Sequence, residues 1–393
     1  MQLTEHPATE SQAAARITHA SRRPSSLGST PVGAVALSMG EPDSGTPAAI
    51  VDAAIAALRA GRTRYTNLTG APELRAAIAD KLSGETGRQI STDQIVVTHG
   101  GSAGLAASML ALVNPGDKVL IPEPTYSLYA DHAAMVGADA VWVANRPDGG
   151  LDLERLTIEA STARMIIICN PSNPTGRIYS PADLEGVAKI LSSNPGVLLL
   201  ADEAYSDIIF SGSEFRSAFT LDRVADQVIL CSTFSKTYAM TGWRIGYVAA
   251  EPQIAARVNL LHRTLNGSIN TFVQDAAVVA LTTPANELAA TARSYEERRD
   301  IVVEALKSLP GVTMLAPQGA FYAFVAIDAD LTSDEMTARF AKAGVIVRSG
   351  SEFGPSGEGH VRLSFATDQV SLREGLTRFA TVARQILRHP DGP

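Results

Sequence analysis

The chain has 393 residues, more than the roughly 250–300 at which a single hydrophobic core stops growing, so we expect two domains. Its 45% hydrophobic residues are ordinary for a globular protein, and a net charge of −8 without a dense run of Lys or Arg argues against nucleic acid or membrane partners. Cys169 and Cys231 lie in apolar runs that predict buried thiols, and no stretch resembles a signal peptide or a membrane span, so we expect a cytoplasmic protein.

The polar segment to about Thr30 predicts a loosely ordered region or a docking arm. From the predicted helix Ala48–Ala60 onward, helical patterns alternate with apolar runs. Seven of these runs are predicted strands: Ile95–Thr98, Lys118–Ile121, Ala140–Val143, Met165–Cys169, Val197–Ala201, Val228–Ser232 and Arg244–Val248. Helices are predicted between several of them: Ala103–Val113, Pro181–Ser193 and Ala255–Leu265. Strands that are apolar throughout, joined by helices, predict an α/β domain with a mostly parallel seven-stranded sheet between helices.

The pattern changes after the long predicted helix Ala285–Ser308. Four strands and two helices follow: Val312–Leu315, Tyr322–Ile327, Ser333–Ala343, Val345–Val347, His360–Ser364 and Ser371–Arg388. This mixture predicts a smaller α+β C-terminal domain. We therefore expect residues 1–45 to form an N-terminal arm and part of the small domain, residues 46–285 the large domain and residues 286–393 the small domain.

Polar and glycine-rich segments follow the carboxyl ends of the predicted strands. They are Gly100–Gly104, Pro122–Tyr126, Asn170–Gly176, Asp202–Tyr205, Thr233–Lys236 and Gly242–Arg244. Ligands of an open parallel sheet bind outside the carboxyl ends of its strands. We therefore expect these segments to form one site.

The residue types in these segments suit pyridoxal 5′-phosphate. A glycine-rich helix start offers N–H groups to a phosphate, and Arg244 can add a bidentate ion pair. Asp202 can keep a pyridine nitrogen protonated, which strengthens the ring as an electron sink. Lys236 can form an imine and then move a proton. Two side chains can bind the ring hydroxyl and a third can stack on the ring: Asn173, Tyr205 and Tyr126.

The run Ser232–Tyr247 (S-T-F-S-K-T-Y-A-M-T-G-W-R-I-G-Y) resembles the cofactor-lysine signature of the class I/II aminotransferases, the aspartate aminotransferase superfamily of fold type I. Asn170–Gly176 resembles the N-P-x-N-P-T-G turn of that family, and Asp202–Tyr205 resembles its D-x-A-Y element. Three further segments match the family: Ser38–Pro42, Pro317–Tyr322 and Gly354–Ser364. The resemblance extends over nearly the whole chain, from about residue 25 to about residue 390.

This resemblance implies a pyridoxal-phosphate-dependent aminotransferase that moves an amino group between an L-amino acid and a 2-oxo acid by a ping-pong mechanism. It implies that Lys236 forms the Schiff base and that Asp202 and Tyr205 are the other catalytic residues. The remaining implied cofactor contacts are Gly101, Ser102, Ala103, Tyr126, Asn173, Thr233, Ser235, Arg244 and, across a homodimer interface, Tyr65. The implied substrate contacts are Gly40, Asn173 and Arg362, whose guanidinium would bind the α-carboxylate.

The sequence departs from the family at Ser102, where aspartate-specific bacterial relatives often carry Lys, and this weakens the case for a dicarboxylic amino donor. Two alternatives stay open. A lyase, cyclase or substitution enzyme could use the same cofactor, because the geometry of the pocket selects the reaction path. Gly100–Gly104 also fits the G-x-S-x-G pattern of a hydrolase, with Ser102, Asp202 and His360 as its triad. We find no sequence pattern typical of a metal site.

Overall fold

Residues 10–23 and 31–387 are described by this computed structural model, and they form an ordered series of helices and strands. The helices are α1 (Gln12–Ala20), α2 (Ala48–Arg59), α3 (Pro72–Thr86), α4 (Gly100–Leu112), α5 (Leu128–Val136), α6 (Leu153–Ala160), α7 (Pro181–Ser193), α8 (Pro252–Asn266), α9 (Thr271–Leu281), α10 (Ala285–Lys307), α11 (Ser333–Lys342) and α12 (Gln369–Ile386). The strands are β1 (Val35–Ala36), β2 (Ile95–Thr98), β3 (Lys118–Glu123), β4 (Asp139–Ala144), β5 (Ala163–Cys169), β6 (Leu198–Asp202), β7 (Val228–Thr233), β8 (Gly246–Ala249), β9 (Val312–Thr313), β10 (Tyr322–Ile327), β11 (Val345–Ile346), β12 (Arg348–Ser349) and β13 (His360–Ser364).

The central sheet has seven strands in the order β2-β8-β7-β6-β5-β3-β4. The neighbours from β7 to β4 pair in parallel, and β8 is antiparallel to both β7 and β2. The predicted mostly parallel sheet between helices is therefore confirmed. Successive residues of a strand point to opposite faces, and β5 shows the consequence. Ile166 and Ile168 belong to one hydrophobic core, whereas Met165 and Ile167 belong to the core on the other face.

A second, smaller sheet lies in the C-terminal part of the chain, with antiparallel strands in the order β12-β13-β10-β9. Its core includes Phe340 and Phe379, whose rings stack with centroids 4.4 Å apart. Val35 and Leu37, which precede the strands of the large sheet in the sequence, are buried in this same core. β1 accordingly pairs in parallel with β11. The domain boundaries after residues 45 and 285 stay a prediction.

One predicted strand boundary is corrected by the backbone. The predicted strand Arg244–Val248 begins only at Gly246, because Arg244 has a left-handed φ of 54°, which lies outside the β region. For the polar N-terminal segment, the described residues 10–23 agree with the docking arm, because α1 docks on α5 and Arg16 donates hydrogen bonds to the carbonyl oxygens of Ala134 and Met135. The rest of that segment lies outside the described residues. Across the described ranges, no helix combines the length and the hydropathy that a membrane crossing needs.

The turn Asn170–Gly176 joins the large sheet to the C-terminal part of the chain. The carbonyl oxygen of Gly176 accepts hydrogen bonds from the amides of Gln318 and Gly319. Gly176 has a φ of 65°, and a Cβ there would lie 2.6 Å from Cβ of Pro317 and 2.9 Å from the carbonyl oxygens of Gly319 and Tyr322. Glycine is therefore required at this position by both conformation and space.

We expect Gly176→Ala to lower the midpoint of thermal unfolding more than the control Gly116→Ala. Gly116 has a φ of 84°, but a Cβ there would have no neighbour within 4 Å. The control should therefore cost only the left-handed strain, about 1–2 kcal/mol. Gly176→Ala should cost a further ~1–3 kcal/mol from steric overlap. Equal shifts in a calorimetric scan would contradict this account of the turn.

Candidate active site

A cavity of about 310 Å³ opens at the carboxyl ends of β5, β6 and β7. Twelve of the residues that the sequence singles out line it: Gly40, Gly101, Ser102, Tyr126, Asn173, Asp202, Tyr205, Thr233, Ser235, Lys236, Arg244 and Arg362. Residues from the beginning, middle and end of the chain thus meet in one place. The cavity forms between the central sheet and the C-terminal sheet, since β10 and β13 supply Tyr322 and Arg362.

Two of the predicted site residues lie outside this cavity. Ala103 follows Ser102 in the first turn of α4 and does not reach the cavity wall. The side chain of Tyr65 is 97% exposed. His360, the third member of the hydrolase triad, stacks on Phe324 with ring centroids 4.7 Å apart and lines a different cavity. The structure therefore does not assemble a triad with Ser102 and Asp202.

Asp202 is the last residue of β6, and its carboxylate is buried. Tyr129 donates a hydrogen bond of 2.7 Å to Oδ2, and the amide of Ala204 donates to Oδ1 at 3.3 Å. Burial raises the pKa of Asp202 to about 6, and these hydrogen bonds and the charge of Lys236 limit the rise. The group therefore remains a carboxylate at neutral pH.

Tyr129 is a site residue that the sequence reasoning misses. It is fully buried on α5, and its ring packs edge-on against that of Tyr126 with centroids 5.7 Å apart. A signal exists in the sequence, because a tyrosine three residues after Tyr126 lies on the same side of a helical turn. It could be used only if α5 were predicted.

Lys236 reaches into the cavity from the loop after β7, and its Nζ donates a 2.7 Å hydrogen bond to the carbonyl oxygen of Gly40. The pKa of Lys236 is lowered to about 8, and burial is the largest cause. The positive charges of Arg244 and Arg362 add to this lowering, and the negative charges of Glu41 and Asp202 oppose it. A large fraction of the amine is therefore unprotonated at mildly alkaline pH, as a nucleophile or a general base requires.

A pair of tyrosines closes the cavity on the side of the C-terminal sheet. The hydroxyl groups of Tyr205 and Tyr322 are 2.9 Å apart and form a hydrogen bond. Any side chain at Gly40 would collide with the hydroxyl group of Tyr322, which explains why a glycine occupies this part of the wall. Tyr322 ends the segment Pro317–Tyr322, which resembles the family. That resemblance does not predict a contact for the Tyr322 hydroxyl group.

Arg362 presents a buried guanidinium between the rings of Tyr322 and Phe353, with its Cζ 4.4 and 5.0 Å from the two ring centroids. It donates hydrogen bonds to Oδ1 of Asn173 at 3.0 Å and to the carbonyl oxygen of Ser38 at 2.6 Å. Its Nε is buried without a hydrogen-bond partner among the described residues. Because both acceptors are neutral, the positive charge is available to an anion in the cavity.

The start of α4 and Arg244 form a second cationic region. No side chain caps α4, so the amides of its first turn are not used within the helix. Arg244 lies against this turn, since a Cβ on Gly100 would be 2.6 Å from one of its Nη atoms. The hydroxyl groups of Thr233 and Ser235, 2.9 Å apart, line the same part of the cavity. Helix amides, hydroxyl groups and a guanidinium together suit a phosphate.

Arg23 also lines the cavity, and no sequence pattern indicates it. It follows α1, which is held on α5 by Arg16 and by a 3.1 Å hydrogen bond from Ser21 to Asp131. Its Cζ lies 5.6 Å from the centre of the Tyr126 ring. The other lining residues without a predicted role are Ser38, Met39, Glu41, Leu105, Ser127, Cys169, Ala204, Thr241, Tyr322, Arg348 and Phe353.

Comparison with known proteins agrees with this geometry. Residues 33–379 match the family model described as aminotransferase class I and II. An arginine–pyruvate transaminase of Pseudomonas aeruginosa is 36% identical over 89% of this chain and 90% of its own length. A bifunctional aspartate aminotransferase and glutamate/aspartate-prephenate aminotransferase of Petunia hybrida is 34% identical over 88% of this chain and 75% of its own length.

Solved structures agree as well. The aspartate aminotransferase of Rhizobium meliloti superposes with a TM-score of 0.87, at 31% identity, over 96% of this chain and all of that one. An aromatic aminotransferase of Pyrococcus horikoshii superposes with a TM-score of 0.86, at 34% identity, over 90% of this chain and 96% of that one. These names favour transamination over lyase, cyclase or substitution chemistry. The chain belongs to the class I and II aminotransferases, has their fold type I architecture and is a transaminase.

Proposed function

We propose that this transaminase holds pyridoxal 5′-phosphate on Lys236 and moves an amino group between an L-amino acid and a 2-oxo acid. The observation that carries this proposal is a single cavity that joins the amine of Lys236, the buried carboxylate of Asp202 and the guanidinium of Arg362. Burial brings the pKa of the amine down to about 8 and that of the carboxylate up to about 6. Such perturbed groups in one cleft are typical of a catalytic site.

The cavity residues fit the parts of this cofactor. The phosphate would be held by the amides of Gly101 and Ser102 at the start of α4, by the hydroxyl groups of Thr233 and Ser235 and by Arg244. The ring would be held by Tyr126, Asn173, Tyr205 and, at the pyridine nitrogen, Asp202. When bound, the protonated ring withdraws electrons from the α-carbon of the substrate.

The chain's own residues then bind the substrate and move its proton. Arg362 is the fork that binds the α-carboxylate, and Asn173 and Ser38 hold this fork in place. The unprotonated amine of Lys236 takes the proton from the α-carbon through its Nζ. In a ping-pong sequence, an amino acid delivers its amino group first and a 2-oxo acid removes it second.

We propose that two copies of the chain form a homodimer with shared active sites. The ring of Tyr65 is almost fully exposed here and would reach the phosphate in the partner subunit. Exposed apolar side chains lie on α2, which carries Ile55 and Leu58, and on α8, which carries Leu260 and Leu265. Apolar side chains exposed in this way favour burial by a second copy.

We also propose that one of the two substrates carries a second acidic group. Ser102 offers no cation to such a group, but Arg23 lines the same cavity, with its Cζ 5.6 Å from the centre of the Tyr126 ring. A cation at the mouth of an active-site cavity favours an acidic substrate group. Names that include aspartate and prephenate among the relatives support the same assignment.

Lys236→Ala should lower the turnover number by at least ~10²–10⁴-fold, because it removes the amine that moves the proton. Borohydride reduction of the cofactor-loaded wild type, followed by peptide mapping, should place the label on residue 236, and the variant should carry none. Exposed Lys189 provides the control, and Lys189→Ala should keep both activity and label. Full turnover in Lys236→Ala would contradict the assignment.

Tyr129→Phe should move the acidic limb of the pH–turnover profile to higher pH. Loss of the Tyr129 hydroxyl removes a hydrogen bond that lowers the pKa of Asp202, so this pKa should rise above about 6 and the carboxylate should be protonated at a higher pH. Activity at alkaline pH should change little. Tyr179→Phe is the matched control, because Tyr179 is buried outside the cavity and hydrogen-bonds Asn145. An unshifted limb in Tyr129→Phe would show that the hydrogen bond does not tune Asp202.

Arg23→Ala should lower kcat/KM for 2-oxoglutarate by about 10-fold and that for pyruvate by much less, since a charge-assisted hydrogen bond contributes about 1.5–3 kcal/mol and exposure weakens it. Arg22→Ala is the control, because Arg22 is exposed and does not line the cavity. Equal losses for both acceptors in Arg23→Ala would rule out recognition of a second acidic group by Arg23.

A further inference from the structure

Two histidines lie behind the start of α4, outside the cavity. His99 is the residue between β2 and α4, and His262 lies on α8 with none of its surface exposed. Their rings stack with centroids 5.4 Å apart and an interplanar angle of 29°. The proposed chemistry uses neither residue, yet His99 directly precedes the glycines of the proposed phosphate subsite.

His262 binds the backbone of His99. Its Nε2 accepts a 3.2 Å hydrogen bond from the amide of His99, and an accepting ring nitrogen carries no proton. The proton of the neutral ring is then on Nδ1, which is buried without a partner among the described residues. Burial lowers the pKa of His262 to about 4, and the neighbouring His99 adds to this effect. The ring is therefore a neutral acceptor at physiological pH.

This hydrogen bond lies where the chain turns from strand into helix. Gly100, the next residue, has a left-handed φ of 78°, and no side chain caps α4. The amide of His99 is thus the last anchored backbone donor before the free amides that face the cavity. Since α8 supplies the acceptor, the position of the first turn of α4 depends on a residue more than 160 positions away in the sequence.

We propose that His262 is a positioning residue for the phosphate subsite, because it fixes the backbone of His99 and thereby directs the first amides of α4. This inference rests on the proposed function. It predicts a selective effect, in which loss of the hydrogen bond weakens binding of the phosphate and leaves binding of the ring unchanged.

The first test changes the acceptor. His262→Leu removes it, and His262→Gln keeps an acceptor at a similar distance from the backbone. Equilibrium dialysis of the cofactor-free protein should show pyridoxal 5′-phosphate binding weakened roughly 3–10-fold in His262→Leu, which corresponds to one net hydrogen bond. Binding of pyridoxal, which lacks the phosphate, should be unchanged. His262→Gln should restore the wild-type affinity for pyridoxal 5′-phosphate.

The second test changes the donor and remains available if His262→Leu does not fold. His99 has a φ of −72°, which proline adopts, and its preceding residue Thr98 is in an extended strand. His99→Pro removes the amide donor, but its Cδ would collide with Nε2 of His262, so it is made in the smaller His262→Ala background. His99→Ala removes only the ring and its 3.4 Å contact with the same Nε2. We expect His262→Ala to lose affinity for the phosphate-bearing ligand, His99→Pro to cause no further loss in that background, and His99→Ala to retain the wild-type affinity.

The outcomes separate this inference from the proposed function. If the wild type fails to bind pyridoxal 5′-phosphate, the proposed function is wrong. If the wild type binds it and His262→Leu binds it equally well, only the positioning role is wrong. Equal weakening of pyridoxal and pyridoxal 5′-phosphate binding would also overturn the inference, because a merely structural defect would not distinguish the two ligands.

Discussion

Asp202 ends β6, a strand in the middle of the central sheet whose residues are all buried, so a carboxylate must be kept charged where little water reaches it. Hydrogen bonds from Tyr129 and Ala204 and the charge of Lys236 meet this need. An unpaired buried charge would be too costly to retain. Three elements thus stabilise this one carboxylate: α5, the loop after β6 and the loop after β7 that carries Lys236.

The same burial that raises the pKa of Asp202 lowers that of Lys236, so the cavity holds an acid and a base whose pKa values lie only about two units apart. Each group also stabilises the charged form of the other. Arg244 and Arg362 add positive charge on two sides, and both oppose protonation of the lysine. The electrostatic field of the cavity therefore favours anionic ligands and a free amine.

Much of this arrangement can be predicted from the sequence because it depends on local pattern. Apolar runs such as β5 indicate buried strands, and the polar residues that follow them must share one edge of the sheet. The helix α5 is harder to predict from the sequence, because buried residues occupy most of its positions and no polar face remains to show a helical period. The sequence pattern therefore does not indicate Tyr129. Arg23 and His262 are missed for a different reason, since their roles depend on contacts between distant segments.

The most direct test of the central claim is a half-reaction followed by absorption spectroscopy. The purified protein, loaded with pyridoxal 5′-phosphate, is mixed with single amino acids in the absence of any 2-oxo acid. We expect a donor to convert the bound cofactor to pyridoxamine phosphate in stoichiometric amount and a 2-oxo acid to reverse the change. Product formation without this conversion, or failure of the protein to hold the cofactor at all, would contradict the proposed transamination.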